Sequence, residues 1–111
     1  MVSEVIITDR ALEMFDEDLY YLVYAKKNSQ AASHLIDEFN DTQDMLYQVA
    51  ESLGFCRDED LKALGYRIIF FNHMEYLFIY RVTDNKAVID AMYHQSQDYE
   101  NLFKTEEVRL L

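Results

Sequence analysis

The sequence predicts an α+β fold in the order β-α-α-β-β-β, with an αα-hairpin packed on one face of an antiparallel sheet and a short C-terminal helix. Three observations predict it. A short β-branched run opens the chain, two long stretches have apolar residues every three or four positions, and three strand-like segments are joined by short turns. The 111 residues have the size of one domain. We expect a single domain over residues 1–111, with residues 104–111 mobile unless Val108, Leu110 and Leu111 dock.

The helical hairpin is predicted from two amphipathic stretches that follow a strand at residues 5–7. Thr8 or Asp9 can cap the first helix, and Ser29 can cap the second. Gly54 falls where a left-handed residue commonly ends a helix. The expected buried faces hold Leu12, Phe15, Leu19, Leu22 and Val23 in the first helix, and Ala32, Leu35, Ile36, Phe39, Gln43, Leu46, Val49, Ala50 and Leu53 in the second.

The three strands are predicted at residues 66–71, 76–82 and 86–94, where β-branched and aromatic residues are dense. The turns between them contain Asn and Asp, which tolerate left-handed conformations. Connections this short join antiparallel neighbours, so the unit is a β-meander. Its strands are apolar on both faces, so a terminal segment or a partner must cover the face that the hairpin leaves open. We also expect one helical turn beginning at residues 58–60 and a last helix capped by Asp98.

The formal net charge of −11 is uneven along the chain. Residues 1–54 carry 11 acidic and 3 basic residues, a net of −8, and residues 55–111 carry 10 and 7, a net of −3. A field of this sign repels phosphate backbones, so we do not expect direct binding of free nucleic acid, and it favours a basic partner segment. The alternative is an acidic surface that serves only solubility.

Other classes of function have little support in the sequence. The single cysteine, Cys56, cannot form an internal disulfide, and the sequence shows neither a signal-peptide pattern nor an apolar run of membrane-spanning length. We therefore expect a cytoplasmic protein. His34, His73 and His94 are too scattered to predict a metal site, and no glycine-rich phosphate or cofactor loop is present, so no metal and no cofactor are expected.

Five short motifs follow one another along residues 5–103. They are Val5-Ile6-Ile7-Thr8 with Ala11, then Leu64-Gly65-Tyr66-Arg67, then Tyr76-Leu77-Phe78-Ile79-Tyr80, then Val88-Ile89 leading to Met92-Tyr93-His94, and finally Asp98-Tyr99 with Leu102. In this order and spacing the sequence resembles the RelE/ParE superfamily of toxins from bacterial type II toxin–antitoxin modules, the plasmid stabilisation type. The resemblance implies a compact growth-inhibiting protein that is neutralised by a cognate antitoxin, whose C-terminal segment wraps the toxin.

The resemblance leaves two activities and one inactive form open. ParE-like members inhibit DNA gyrase by protein–protein binding, whereas RelE-like members are ribosome-dependent mRNA endoribonucleases. This sequence is acidic, whereas the family is usually basic. The segment Gln95-Ser96-Gln97 has no basic residue at the place where the family carries Arg or Lys. Of the lysines that the nuclease branch tends to carry before the strand that contains Arg67, only Lys62 is present. These departures favour the ParE-like reading over the nuclease, and an inactive, interaction-only relative is the third alternative. A homodimer is also open.

Six residues are candidates for the site. For a nuclease, Arg67 would hold the scissile phosphate, His94 would transfer protons, and Glu59 would supply an acid. Tyr93, Tyr99 and Arg81 are candidates for binding, because tyrosines can stack on bases and arginine binds anions. Each has a structural alternative: an Arg paired with one of the many acids, a His bonded to the backbone, and tyrosines in the core.

Overall fold

The computed structural model describes residues 1–109, and its architecture confirms the α+β class. Four strands form one sheet, and the helices lie on both of its faces. Within residues 1–109, no helix combines the length and apolar composition needed to cross a bilayer. The elements are β1 (Glu4–Ile7), α1 (Asp9–Tyr20) continued by a π-helical segment (Tyr21–Ala25), α2 (Ser29–Val49), α3 (Glu59–Ala63), β2 (Tyr66–Phe70), β3 (Tyr76–Thr83), β4 (Lys86–His94), and α4 (Tyr99–Leu102) continued by a second π-helical segment (Phe103–Val108).

The sheet has the order β1-β4-β3-β2, and its meander is antiparallel as predicted. The pairing of β1 departs from the expected antiparallel sheet, because β1 runs parallel to β4, with Ile7 opposite Ile89. A short turn forces its two strands to be antiparallel, but β1 joins the sheet through the long helical hairpin, which leaves either direction open. The turn between β3 and β4 places Asp84 and Asn85 at φ 50° and 62°, the left-handed conformations that these residues tolerate.

The helix boundaries are set by side-chain caps. The Thr8 hydroxyl accepts a hydrogen bond from the Ala11 amide, as expected, whereas α2 is capped by Asn28, whose side chain accepts from the Ala31 amide, and not by Ser29. The expected left-handed Gly54 is wrong, because α2 ends at Val49 and Gly65, before β2, is the glycine with positive φ.

The buried faces of both helices match most of the predicted positions, including Phe15, Leu35, Phe39 and Leu46, and differ from them at a few. In α1 the side chains that pack on the sheet are Ala11, Met14 and Phe15, while Leu12 is 41% exposed and Val23 is 38% exposed. In α2 the buried series is Ala32, Leu35, Phe39, Thr42 and Leu46, and Ile36 is 41% exposed. The small residue Ala11 lets α1 approach β4 closely, so the contact face centres on it and not on the larger Leu12.

Aromatic rings join the hairpin to the central strand. Phe15 of α1 stacks on Phe39 of α2 with ring centroids 4.0 Å apart, and Phe39 meets Phe78 of β3 edge to face at 5.4 Å. The Tyr80 hydroxyl donates to the Ala50 carbonyl at 2.7 Å, which ties the end of α2 to the same strand. These contacts place the αα-hairpin on one face of the sheet, as predicted.

The C-terminal helix, α4 with its π-helical continuation, covers the opposite sheet face. Phe103 is 2% exposed and meets Tyr66 edge to face at 4.9 Å. Lys104 pairs with Asp58 at 3.1 Å, and Glu107 accepts from Arg10 at 3.1 Å. The segment expected as a tail is therefore helical to Val108, which packs against the core, and Leu110 and Leu111 lie outside the described residues.

Replacing Phe39 by Ala should lower the free energy of unfolding by about 3–5 kcal/mol, because it removes a buried ring that contacts both a helix and the sheet. Ile36→Ala on the same helix is the matched control and should cost less than Phe39→Ala, because Ile36 is 41% exposed and lies outside the core. Chemical denaturation of both variants checks this. Equal losses would contradict the observed orientation of α2.

Candidate functional site

Arg67 lies in the edge strand of the sheet, where it forms an isolated antiparallel bridge with Phe55. It lies in β2 opposite Tyr80, its Nη1 donates to the Leu53 carbonyl at 2.5 Å, and its guanidinium carbon lies 4.0 Å from the centroid of the Phe55 ring. A guanidinium has five N–H donors, so these contacts use only part of its capacity. They orient it toward the segment that follows α2, where it satisfies a carbonyl beyond the helix end.

His94 lies at the end of β4, with its ring edge to face against Tyr76 at 5.1 Å. Its Nδ1 is 2.7 Å from the Ser96 hydroxyl, and its Nε2 is 3.8 Å from a carboxylate oxygen of Glu75. The histidine is thus partly exposed and bonded within its own turn. This arrangement is what a strand-end histidine forms when it stabilises a turn.

The structure does not bring the three candidate nuclease residues together. Arg67 pairs with Tyr80, whereas His94 pairs with Tyr76, four residues away along β3. At about 3.3 Å per residue this is about 13 Å along the strand, and the two side chains also stand on strands separated by β3. Glu59 is exposed in the first turn of α3 and bonds to no other side chain of residues 1–109. General acid–base catalysis needs groups within hydrogen-bond reach of one reacting atom.

Arg81 is taken up by a carboxylate in the neighbouring strand. A β-bulge in β4 opposite Ile79 and Tyr80 leaves Asp90 without a paired residue, and the Arg81 Nε donates to its Oδ2 at 3.0 Å. Burial raises the pKa of Asp90, and the attraction of Arg81 offsets only part of that effect. Arg81 therefore supplies the counter-charge that allows the Asp90 carboxylate to be half-buried in the sheet.

The two candidate tyrosines have different environments. Tyr99 begins α4 and is half-buried, lining a groove with Ile68 and Phe70 of β2. Tyr93 is 4% exposed, so its ring is not presented to a base. Its hydroxyl is buried and has no hydrogen-bond partner within residues 1–109. Burial, followed by the nearby charges of Glu107 and Glu106, raises the pKa of this phenol.

Asp18, in the first helix of the hairpin, has a carboxyl group with a raised pKa. It lies near the end of α1, and burial followed by the neighbouring Glu17 raises its pKa to about 6. Among residues 1–109 it has no ion-pair partner. Two other half-buried acids, Asp90 and Glu107, each have an arginine partner. An unpaired, desolvated carboxylate of this kind is typical of a functional position.

The outer side of the hairpin is both acidic and apolar. We call the exposed side chains of residues 9–49 the hairpin surface. Tyr20 and Tyr24 are 65% and 63% exposed and lie against each other with ring centroids 4.4 Å apart. Single exposed apolar residues are ordinary, but a concentration of them indicates an interaction site. The surface contains the apolar residues Leu12, Tyr20, Tyr21, Val23, Tyr24, Ile36, Met45 and Tyr47 and the acids Asp9, Glu13, Asp16, Glu17, Asp37, Asp41 and Asp44.

The one cysteine is not placed for chemistry as a thiolate. Cys56 is 1% exposed, and burial, followed by the charges of Glu100 and Asp58, raises its thiol pKa to about 12, so the thiol stays protonated and unreactive. No group of three or more His, Cys, Asp or Glu side chains within residues 1–109 is arranged to hold a metal ion.

Comparison with known proteins adds one finding about the fold. A chain from the solved structure of the chromosomal ParDE TA system from P. aeruginosa superposes with a TM-score of 0.64, over 85% of this chain and 96% of that one, at 20% identity. This chain has the fold of that ParDE chain. The fold part of the resemblance read from the sequence is thereby confirmed. No protein-family model matches the sequence, and no curated protein matches it either.

Two features of the chain escape sequence reasoning. Asp18 stands among Asp16 and Glu17 in an ordinary acidic helix, and only the three-dimensional packing distinguishes the half-buried carboxylate from its exposed neighbours. The exposure of Tyr20, Tyr21 and Tyr24 was also not predicted. A signal for it was present in the sequence, because these residues fall between the predicted core positions Leu19, Leu22 and Val23 and point away from that face.

Asp18→Asn should stabilise the protein at pH 7.5 by about 1–2 kcal/mol, a value reduced from the full pKa shift because the group keeps some solvent contact. The native pKa of Asp18 is above its value in an unfolded chain, so its favourable contribution is complete below about pH 4 and is lost as the pH rises through about 6. The advantage of the variant should therefore disappear at low pH.

Urea denaturation at pH 7.5 and at pH 4 measures the two differences. Asp16→Asn removes the same charge from an exposed position of the same helix and controls for net charge. A variant less stable than the parent at pH 7.5, or a gain of equal size at both pH values, would contradict the unpaired state of Asp18.

Proposed function

We propose that this chain is the toxin of a type II toxin–antitoxin module, of ParE type, which acts in the cytoplasm by binding a protein target and is neutralised by a cognate antitoxin. The observation that carries the proposal is the fold shared with a chain of the ParDE TA system along nearly its full length. The resemblance of the sequence motifs to the RelE/ParE superfamily supports the same assignment.

The placement of the candidate nuclease residues supports protein binding over RNA cleavage. Cleavage by attack of a 2′-hydroxyl needs a base, an acid and a cation around one phosphate. Arg67 is oriented by the Leu53 carbonyl and the Phe55 ring, and His94 stands about 13 Å farther along the sheet. The net charge of −11 further opposes association with RNA. The resemblance points to DNA gyrase as the class of target.

The hairpin surface is the region that we assign to the antitoxin. It holds seven of the 11 acids of residues 1–54, which have a net charge of −8, and its exposed tyrosines offer large apolar area beside that charge. An amphipathic segment with Lys or Arg on one side and apolar residues on the other fits both features. We therefore propose a partner segment more basic than is usual for antitoxins of this kind.

Expression of the chain without its antitoxin should arrest bacterial growth, and co-expression of the small reading frame beside its gene should restore it. The purified protein should inhibit supercoiling by DNA gyrase and leave ribosome-bound mRNA intact. Phe39→Ala, which disrupts the core, serves as the inactive control.

Two other results would replace this proposal. Ribosome-dependent cleavage that Arg67→Ala abolishes, in a variant shown to be folded, would make the chain an endoribonuclease. Normal growth at high soluble expression, with neither cleavage nor gyrase inhibition, would make it an interaction-only relative.

Binding of the antitoxin should become slower as salt is added. We expect the association rate to fall about tenfold or more between about 30 mM and about 300 mM salt, because exposed charges are screened beyond the Debye length. The dissociation rate should change much less. Stopped-flow or surface-based kinetics measure both rates.

The charged residues responsible can be tested in the same assay. Neutralising Asp37 and Asp41 together, both exposed on α2, should flatten the salt dependence, whereas neutralising Glu59 and Asp84, two exposed acids outside the hairpin surface, should change it less. A salt-independent association rate would mean that the acidic charge serves solubility only.

A further inference from the structure

The outer edge of β2 is covered along only part of its length. The Cys56 amide donates to the Tyr66 carbonyl at 2.9 Å, and the Ile68 amide donates to the Gly54 carbonyl at 3.4 Å, so the backbone groups of Tyr66 and Ile68 point away from β3. Backbone groups of every second residue in a strand point to the same side, so the amide and carbonyl of Phe70 also point outward. Neither group has a backbone partner on that side within residues 1–109. The strand edge is therefore open at Phe70.

An apolar groove lies beside this open edge. Ile68 and Phe70 line it from β2, Phe55 lines it from the segment after α2, and Tyr99 lines it from the C-terminal helix. Phe55 and Phe70 are close to half exposed. The groove has a volume of about 280 Å³, which is below the range of roughly 300–1,000 Å³ usual for small-molecule sites but holds an apolar side chain. An open strand edge beside such a groove is the arrangement that binds an extended peptide. We call it the β2 groove.

The open edge stops beside Ile68. Gly54 and Phe55 lie against Ile68 and Arg67, in the position that an added strand would need in order to continue in that direction. An extended segment antiparallel to β2 can therefore pair with Phe70, but it has to end or turn away at the next residue. A chain end meets this restriction. A second copy of this chain does not, because symmetric pairing of Phe70 with Phe70 of the copy would carry the chain after Phe70 of each copy into Gly54 of the other.

Arg57 is an exposed cation at the β2 groove. It lines the groove and forms no ion pair within residues 1–109, whereas Arg10 and Arg81 each hold a carboxylate. Glu100 is the acid in the groove lining, and its Oε1 already accepts from the Asp58 amide at 2.8 Å. A guanidinium binds a carboxylate through charge-assisted hydrogen bonds, and the last residue of a chain carries a carboxylate on its own backbone. The closed edge and the unpaired arginine therefore favour the same ligand.

We infer that the β2 groove receives the C-terminal end of a partner chain, with an apolar last residue paired to Phe70 and the terminal carboxylate bound by Arg57. The N–H group of that last residue donates to the Phe70 carbonyl, and its carboxylate accepts from the Phe70 amide and from Arg57. Residues directly opposite each other in paired strands direct their side chains to the same sheet face, so the apolar side chain enters the groove beside the Phe70 ring. The inference goes beyond the proposed function, because the β2 groove lies outside the hairpin surface and its occupation requires no toxin activity.

Binding of the peptide N-acetyl-Thr-Val-Thr-Leu, with a free C-terminal carboxylate, to the purified protein tests the site. We expect saturable shifts of the Phe70 amide and ring signals in NMR spectra, with a dissociation constant on the order of 1 mM or below. Hydrogen exchange of the Phe70 amide should become slower. The signals of Tyr20 and Tyr24, exposed rings outside the groove, should not shift. No saturable binding, or equal shifts at Phe70 and at these tyrosines, would overturn the inference.

Two modified peptides separate the contacts of the last residue. A C-terminal amide removes the negative charge and should weaken binding about threefold or more, as expected for one exposed ion pair. N-methylation of the leucine removes the donor to the Phe70 carbonyl and places a methyl group against the strand edge, so it should weaken binding at least as much. Binding of either modified peptide as tightly as the parent peptide would contradict the proposed pairing.

Two variants of the protein assign the charge. Arg57→Gln should weaken binding of the free-carboxylate peptide about threefold and remove its advantage over the amide. Lys62→Gln removes the same charge from an exposed position of α3 outside the groove and should leave both affinities nearly unchanged. Both side chains are exposed, so neither change should affect folding. Equal effects of the two substitutions would reduce the site to general surface charge and overturn the inference.

The oligomeric state distinguishes a partner chain from a second copy. Phe70→Glu should abolish peptide binding, because it places a negative charge in the groove, and should leave the sedimentation of the purified protein unchanged. A dimer that this substitution converts to a monomer would assign the strand edge to a second copy of the chain and overturn the inference.

Discussion

The packing of Phe39 between Phe15 and Phe78 is the contact on which the arrangement of this molecule depends. It joins both helices of the hairpin to the central strand through one continuous set of rings, with centroids 4.0 Å and 5.4 Å apart. β3 in turn is buried along Tyr76–Tyr80, because the hairpin covers one face and the C-terminal helix covers the other. A strand buried on both faces can be this apolar without becoming an aggregation site.

Burying the strand from both sides requires that the C-terminal helix be held in place. Its apolar contact is Phe103 against Tyr66, and its polar contacts lie at separate points of the chain. Lys104 reaches Asp58 and Asp60 before and within α3, and Glu107 reaches Arg10 in α1. Exposed ion pairs contribute little stability individually, but these bonds fix the direction of the helix across the sheet. The same helix lines a surface cleft together with α1 and β4, so the element that completes the core also shapes a surface opening.

The sequence predicted what depends on local pattern. Dense β-branched and aromatic residues, with the turn residues between them, located β2 and β3 to within one residue and β4 at its observed bounds. The errors in the predicted core come from packing distances between elements, which the periodicity of apolar residues does not reveal. Leu12 was placed in the core in preference to Ala11 because hydrophobicity favours the larger side chain, whereas the close approach of α1 to β4 favours the smaller one.

The parallel pairing of β1 and the helical course of the C-terminus depend on contacts between segments distant in sequence, such as Ile7 with Ile89 and Arg10 with Glu107. The resemblance supplied the fold family where local pattern supplied only the elements. The candidate site was less predictable than the fold. An acidic residue is a candidate when it is half-buried and has no ion-pair partner, and only the packed structure shows which acid meets both conditions.

The charged groups that the fold uses differ from Asp18 in one respect that bears on function. Arg10, Arg81 and Lys104 each hold a carboxylate within 3.1 Å, and each such pair joins two elements. Asp18 joins nothing within residues 1–109, and its ionised form is disfavoured by the burial that surrounds it. Burial deprives the ionised carboxylate of its interaction with water, which destabilises the free protein. A cation that binds beside the carboxylate replaces this lost interaction with an ion pair.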